Sequence, residues 1–398
     1  MRPQQERPGG GPMRLAVTML VFCVAGLLAL GLVMLYSASM AQAGTHLLLK
    51  QLVGSAIGVV LGVGIALLDY QLLKKLAWPL FILGVVLLAL VFVHPFGVKR
   101  NGAMRWLGYH QVTLFQPSEF AKLALILVLA WYGERYQRQM PSWRRGILVP
   151  GLLIGLVLGL IFKEPDVGNA LLLACVSGII LLIAGIRLKY FLPPVVAAAL
   201  AVGLFIYHNP MRSERIYSWL HLEETKRDKG LQAYEAMVAL GSGGITGKGL
   251  GDSRQKLGFL PEHHTDFIFS IIGEELGLIA TLLVVVAFVT VVSCGVYIAW
   301  HAPDTFGLLL GCGVAFLIGL QAFINIGVVT GALPNKGLPL PFISYGGSNL
   351  AIMLLSIGIL LSIGRQGRVH ERLADPAEGA MPALARSRGN PFKGAALP

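Results

Sequence analysis

The sequence predicts an all-α polytopic membrane protein of ten transmembrane helices with one long outer loop between the seventh and eighth. Three observations support this. Of its 398 residues 55% are hydrophobic and only 13% charged, against about 25% charged in a soluble domain. Ten apolar stretches approach the ~20 residues that a spanning helix needs. Lys and Arg also fall unevenly on the two sides of those stretches, as cytoplasmic loops of membrane proteins require.

The stretches run roughly over 15–37, 47–69, 76–93, 117–133, 146–162, 168–184, 190–207, 267–299, 305–329 and 342–364. The first follows Arg2, Arg7 and Arg14, and Ala41-Gln42-Ala43 beyond it imitates a signal peptidase site. The apolar run is longer than the ~7–15 residues of a signal peptide core, so it is read as an uncleaved helix. Ten spans put both termini on one side. With that side cytoplasmic, inner segments hold Lys74, Lys75, Arg135, Arg138, Arg144, Arg145, Arg187 and Lys189 besides both tails. The short outer loops hold only Lys50, Lys99, Arg100, Arg105, Lys163 and Lys336. The expected layout is a disordered cytoplasmic N-terminus (1–14), a membrane domain (15–364) and a mostly disordered cytoplasmic tail (365–398), since the ends are rich in Pro, Gly, Ala and Arg without periodicity.

The outer loop 208–266 breaks the charge rule with Arg212, Arg215, Lys226, Arg227, Lys229, Lys248, Arg254 and Lys256. Long loops translocate largely regardless of charge. The loop therefore places a basic surface outside, and the part after Gln232 has few acids to balance it. The formal charge of +12 is read as topology signals and attraction to anionic headgroups. No basic segment with interleaved aromatics suggests nucleic acid. Cys23, Cys175, Cys294 and Cys312 lie in apolar runs without metal-ligand or disulfide spacing.

Five stretches carry the chemistry. At Leu260-Pro261-Glu262-His263-His264-Thr265-Asp266 a polar loop meets an apolar run at an acid. A carboxylate at a membrane entrance is costly unless something uses or pairs it. Thr265 is the expected helix cap, and Asp266 is either a proton acceptor or an acid that only complements the helix N-terminus. Glu119 and Lys122 in Gln116-Pro117-Ser118-Glu119-Phe120-Ala121-Lys122 share a helical face three residues apart, as a structural ion pair or as a substrate contact. Glu164 and Asp166 mark a tight outer turn, and oxygen ligands of this kind suit a hard divalent cation. The run from Gly241 to Gly251 fails both the phosphate-loop and the dinucleotide spacing. It reads as a flexible turn, with a diphosphate cradle at Lys248 as the alternative. Three prolines and three glycines between Leu333 and Ser348 exclude regular helix before Pro341 and predict a loop folded into an outward cavity, to which Lys336 and Ser344 contribute polar groups.

Five motifs in order, NGAMRWL at 101–107, QPSEFAKL at 116–123, EPDVG at 164–168, the stretch from Gly249 through LPEHHTDFIFSIIGEELG, and KGLPLPFISYGGS at 336–348, resemble the SEDS family (shape, elongation, division and sporulation). The stretches QKLGFLPEHHTDFIFSIIGEELG and KGLPLPFISYGGS resemble its division branch more than its elongation branch. Asn335 and Asn349 depart from the usual Thr and Ser of division members. The resemblance implies a SEDS-type bundle of ten helices in the bacterial inner membrane. It implies a peptidoglycan glycosyltransferase that polymerises lipid II on the outer face and works with a class B penicillin-binding protein and other division proteins. By the same matching Asp266 is the catalytic residue, and Glu119 and Lys122 line the cavity.

The chemistry joins a sugar hydroxyl to an anomeric carbon bearing undecaprenyl diphosphate, with inversion. That requires a base, Asp266, and cations on the leaving group. Arg105, Lys122, Arg254, Lys256 and Lys336 are candidates for the diphosphate, a divalent cation could assist, and His264 and Ser344 complete the substrate-binding set. A lipid II flippase and a noncatalytic scaffold are the competing readings. The clustering of notable groups on the outer side favours the enzyme over a carrier with a midplane site.

Overall fold

A computed structural model describes residues 11–39, 46–100, 103–109, 112–228, 230–253 and 265–374. It is a helical bundle. Among the described residues eight helices are long and apolar enough to cross a membrane. They are α1 (Gly11–Ser39), α2 (His46–Leu67), α3 (Tyr70–Leu90), α5 (Val149–Lys163, extended backward by a π turn from Arg144), α7 (Leu188–Tyr207), α11 (Ile268–Trp300), α12 (Thr305–Val329) and α13 (Gly347–Ala374).

The remaining two expected spans are also helices, α4 (Pro117–Arg135) and α6 (Val167–Ile183), but each departs from the usual form of a span for a physical reason. Helix α4 carries Glu119, Lys122, Glu134 and Arg135, yet from Ala121 to Ala130 it is buried without interruption. A helix surrounded by protein has no lipid-facing side to keep apolar. Helix α6 has 17 residues and packs on α4, α5 and α12. At the other extreme, α7 has no buried residue.

Local chemistry sets several helix starts. Asp69 caps α3 by accepting from Gln71 N at 2.7 Å. Asp304 caps α12 by accepting from Gly307 N at 3.1 Å, and Asp166 caps α6 by accepting from Asn169 N at 3.2 Å. Pro117 opens α4, where its missing N–H costs nothing.

The bundle is all-α but for one small sheet. Between α3 and α4 lies a three-stranded antiparallel sheet in the order β1 (Gly97–Arg100), β2 (Ala103–Tyr109), β3 (Val112–Phe115), with Gly97 opposite Leu107 and Leu107 opposite Phe115. These strands are too short to compete with the 20-residue apolar signal on either side, so the segment reads as a loop. The segment after α7, expected as a loop, likewise contains helices, α8 (Pro210–Leu220), α9 (Leu222–Thr225) and α10 (Leu231–Ser242). Helix α8 is tied to the end of α12, where the Trp219 indole donates to Gly331 O at 2.7 Å.

Helix α11 is interrupted at Gly277, whose φ of 77° and ψ of −173° are outside the helical region and open to glycine alone. The glycine-rich run bridges the gap. Lys248 N donates to Glu274 O and Gly249 N to Glu275 O, both at 3.0 Å, while Leu278 N donates to Gly244 O at 2.9 Å and Ile279 N to Ile245 O at 3.3 Å. The run is a structural clasp, and the backbone N–H groups that a diphosphate cradle would use at Lys248 and Gly249 are spent on α11.

Candidate active site

Thr265, Asp266 and Phe267 form a turn, and α11 begins at Ile268. Phe267 occupies the cap position, without a capping side chain, so the expected role of Thr265 as cap is not what holds this turn. Its carbonyls do so instead. The Ser344 hydroxyl donates to Thr265 O, and the Asn325 amide donates to Asp266 O at 2.8 Å and to Leu338 O at 2.7 Å. The half-buried Asp266 carboxylate lies against Gly337, where an added Cβ would stand 2.6 Å from Oδ2. A side chain at 337 would push the carboxylate away.

The segment from Gly331 to Gly346 has no regular helix, and α13 starts at Gly347 rather than just after Pro341. Its backbone groups find side-chain partners, as irregular chain at membrane depth requires. Gln51 on α2 donates to Ser344 O and accepts from Gly346 N, both at 3.2 Å. Gln321 on α12 donates to Pro339 O at 2.9 Å. Ser344, expected to bind substrate, is buried and its hydroxyl both accepts from Leu340 N and donates to Thr265 O. It braces the loop to the turn that carries Asp266.

Glu119 and Lys122, expected on the cavity wall, are fully buried. The Lys122 ammonium lies 2.9 Å from Glu119 Oε2 and donates to Asn169 Oδ1 and Gln321 Oε1, each at 3.2 Å. An ammonium has three N–H donors, and all three are taken within the protein. The second partner of Glu119 is Asn349, donating at 2.7 Å, which gives that unusual residue a purpose. Asn335, the other unusual residue, donates to Gln232 of α10 at 3.1 Å.

Beyond Asn169 the chain of contacts continues to the turn before α6. Asn169 donates to Asp166 at 2.9 Å. Arg105 on β2 donates to Glu164 O at 3.0 Å and Pro165 O at 2.9 Å, with a guanidinium nitrogen 3.8 Å from Asp166. Arg105 thus fastens the sheet to the turn before α6 and is committed to protein atoms. Glu164 is buried with neither carboxylate oxygen hydrogen-bonded. Burial first, then the neighbouring Asp166, pushes its carboxyl up to about 8, against the opposing pull of Arg105. A divalent cation is poorly served here. Among the described residues no three His, Cys, Asp or Glu side chains converge on one site, and Asp166 is engaged by Asn169 and Arg105.

Lys336 has a different setting. It is half-buried, and burial first, then Arg212 and Arg215 of α8, lower its amine below the usual lysine value, with Asp166 opposing. Lys336 precedes Gly337, the residue that lies against Asp266, and Arg212 and Arg215 are near enough to act on its charge. The Arg212 guanidinium stacks 4.1 Å from the Phe205 ring and has one buried nitrogen without a hydrogen-bond partner. Arg254, Lys256 and His264 lie outside the described residues. Sequence reasoning passed over the buried amides Gln51, Asn169, Gln321 and Asn325, whose only signal was a neutral polar residue inside an apolar helix.

The cell cycle protein family of FtsW, RodA and SpoVE matches residues 17–369. A probable peptidoglycan glycosyltransferase FtsW of Trichlorobacter lovleyi is 41% identical over 360 residues, covering 88% of this chain and 94% of its own length. Among solved structures, a chain of a peptidoglycan synthase complex that coordinates polymerization and crosslinking superposes with a TM-score of 0.73 at 30% identity, covering 87% of this chain and 97% of that one. The rod shape determining protein RodA of Thermus thermophilus superposes with a TM-score of 0.65 at 30% identity, covering 87% and 96%. With the fold, the motif order and these likenesses in agreement, the chain belongs to the FtsW/RodA/SpoVE family of cell cycle proteins.

Proposed function

We propose that this chain is a peptidoglycan glycosyltransferase of the FtsW type, which polymerises lipid II during cell division with Asp266 as the base. The observation that carries the reading is a carboxylate at a membrane entrance, held through its backbone by Asn325 and lying against Gly337, the residue after Lys336. The acceptor hydroxyl gives its proton to Asp266 as it attacks the anomeric carbon from the face opposite the diphosphate. The carbon inverts and undecaprenyl diphosphate leaves with the bonding pair. Lys336, Arg212 and Arg215 offset the charge that develops on the leaving oxygens. Diphosphate is a good leaving group, so no general acid is needed.

The site faces the outer side of the inner membrane and both termini face the cytoplasm, a reading that rests on the Lys and Arg asymmetry. It counts α4 and α6 with the eight apolar helices as ten spans. The buried charged residues Glu119, Lys122, Glu164, Asp166, Glu274 and Glu275 lie toward the end of the bundle that carries Asp266. This favours an enzyme over a carrier with a midplane site. A class B penicillin-binding protein supplies the crosslinking step, in line with the synthase complex that this chain resembles.

The test is Asp266→Asn in the full chain, purified with its cognate penicillin-binding protein and given lipid II. Loss of the base should cost at least ~10²-fold in strand formation. Near-normal polymerisation by a folded variant would overturn the assignment.

A further inference from the structure

The break in α11 leaves Asp266 on a short lever. Only residues 268–276 lie between the turn that holds Asp266 and Gly277, so the half-helix is not steered by the long apolar half that follows. Its far end is fixed by other means. The clasp from Gly243 to Gly249 supplies two N–H groups to the carbonyls of Glu274 and Glu275 and two carbonyls to the N–H groups of Leu278 and Ile279. Gly243 approaches the backbone of Gly273, where an added Cβ would overlap the carbonyl.

A side chain of the clasp adds an anchor of its own. The Lys248 ammonium donates to Glu274 Oε1 and to Ser242 Oγ, both at 2.9 Å. Glu274 is buried, and Ser253 donates to its other oxygen. Glu275, next along, accepts from Ser37 of α1 at 2.7 and 2.8 Å. Two adjacent carboxylates therefore secure the far end of the lever, one to the outer segment and one to the bundle.

We infer that Lys248 is a positioning residue that acts through Glu274: their ion pair, with the glycine clasp, sets the angle of the half-helix 268–276 and thereby the direction of the Asp266 carboxylate. Lys248 meets Glu274 two turns of helix from Asp266, about 12 Å along the axis, and its role needs no contact with substrate. A change of about 1 Å at a catalytic group costs on the order of 10²-fold in rate, so a loosened lever lowers turnover without weakening substrate binding. The inference rests on Asp266 as the base.

The experiment compares Lys248→Met, Lys248→Arg and Asp266→Asn in the full chain with its penicillin-binding partner, measuring kcat and KM for lipid II per folded molecule, with folding followed by heat denaturation in detergent. Lys248→Met should lower kcat roughly tenfold or more with KM within about twofold, and Lys248→Arg, which can restore the ion pair, should recover most of it. An unchanged kcat per folded molecule would overturn the inference and leave Lys248 purely structural. A raised KM at unchanged kcat would overturn it in favour of a substrate contact. If Asp266→Asn is inactive while Lys248→Met turns over normally, only the positioning role fails. If Asp266→Asn stays active, the base assignment fails first.

Discussion

Replacing Lys122 with Met decides whether the buried ammonium is a brace or a substrate contact. In the structure Lys122 neutralises Glu119 and satisfies Asn169 and Gln321, and it is fully buried. Removing it leaves a buried carboxylate with Asn349 as donor and takes a hydrogen bond from each of two amide oxygens. Breaking a buried ion pair from one side costs about 3–5 kcal/mol. The double replacement Glu119→Gln with Lys122→Met removes the stranded charge, while the losses at Asn169 and Gln321 persist at about 1–3 kcal/mol each where no water replaces the donor. The double variant should therefore melt above Lys122→Met and below the unmodified protein, with a coupling between the two positions of about 0.5–3 kcal/mol. Heat denaturation of the detergent-solubilised protein, followed by size exclusion, reads that order. A Lys122→Met protein that melts like the original yet no longer uses lipid II would refute the reasoning and return the ammonium to the substrate.

Glu164 gives a pH signature. Its folded-state value of about 8 lies above the 4.5 of a free carboxyl. The contribution is therefore full below about 4.5 and falls as pH rises toward 8, because the unfolded chain releases the proton first. At about 1.36 kcal/mol per pH unit this amounts to at most about 5 kcal/mol. Melting temperature should fall across that window, and Glu164→Gln should flatten the fall; a Gln variant with the same slope would remove Glu164 as its source. Gly337→Ala places a methyl 2.6 Å from Asp266 Oδ2 and should lower kcat on the order of 10²-fold with little change in folding, which a lipid II turnover assay checks against a wild-type rate. Lys336→Gln and Arg212→Gln should each lower kcat/KM for lipid II roughly tenfold or more, the worth of one hydrogen bond to a charged group; an unchanged kcat/KM in both would take the diphosphate elsewhere.

Much of the fold could be read from the chain because the bilayer constrains it in one dimension. A run such as residues 305–329 has to be long, apolar and helical, and α12 has those bounds. Asp266 stood out for the same reason, as a charge where a charge is costly. The partners were hidden because they depend on packing in three dimensions. Lys122 meets Gln321 across 199 positions and Glu119 meets Asn349 across 230, and no local pattern encodes such a meeting. Thr265 reads as a cap by residue type, but Ser344 reaches its carbonyl from 79 positions away and the helix starts later. The glycine run is ambiguous in sequence because the same flexible backbone serves an anion or a broken helix, and only the bonds from Lys248 N and Gly249 N to the carbonyls of Glu274 and Glu275 decide between them.

The polar side chains around the site solve two problems with one set of groups. The loop before α13 is irregular chain beside the core, and each buried backbone group it leaves unpaired would cost about 1–3 kcal/mol. Gln51, Gln321, Asn325 and Ser344 meet that need. Asn325 and Ser344 then use a further contact to hold the carbonyls of Asp266 and Thr265, and Gln321 accepts from Lys122. The loop cannot shift without disturbing the turn that carries Asp266, nor can the turn move without stripping partners from the loop. An apolar core would have packed as densely, but it would have left the loop carbonyls unmet and Asp266 without a fixed position. The buried amides are thus the means by which a membrane bundle holds an irregular loop and a carboxylate in register.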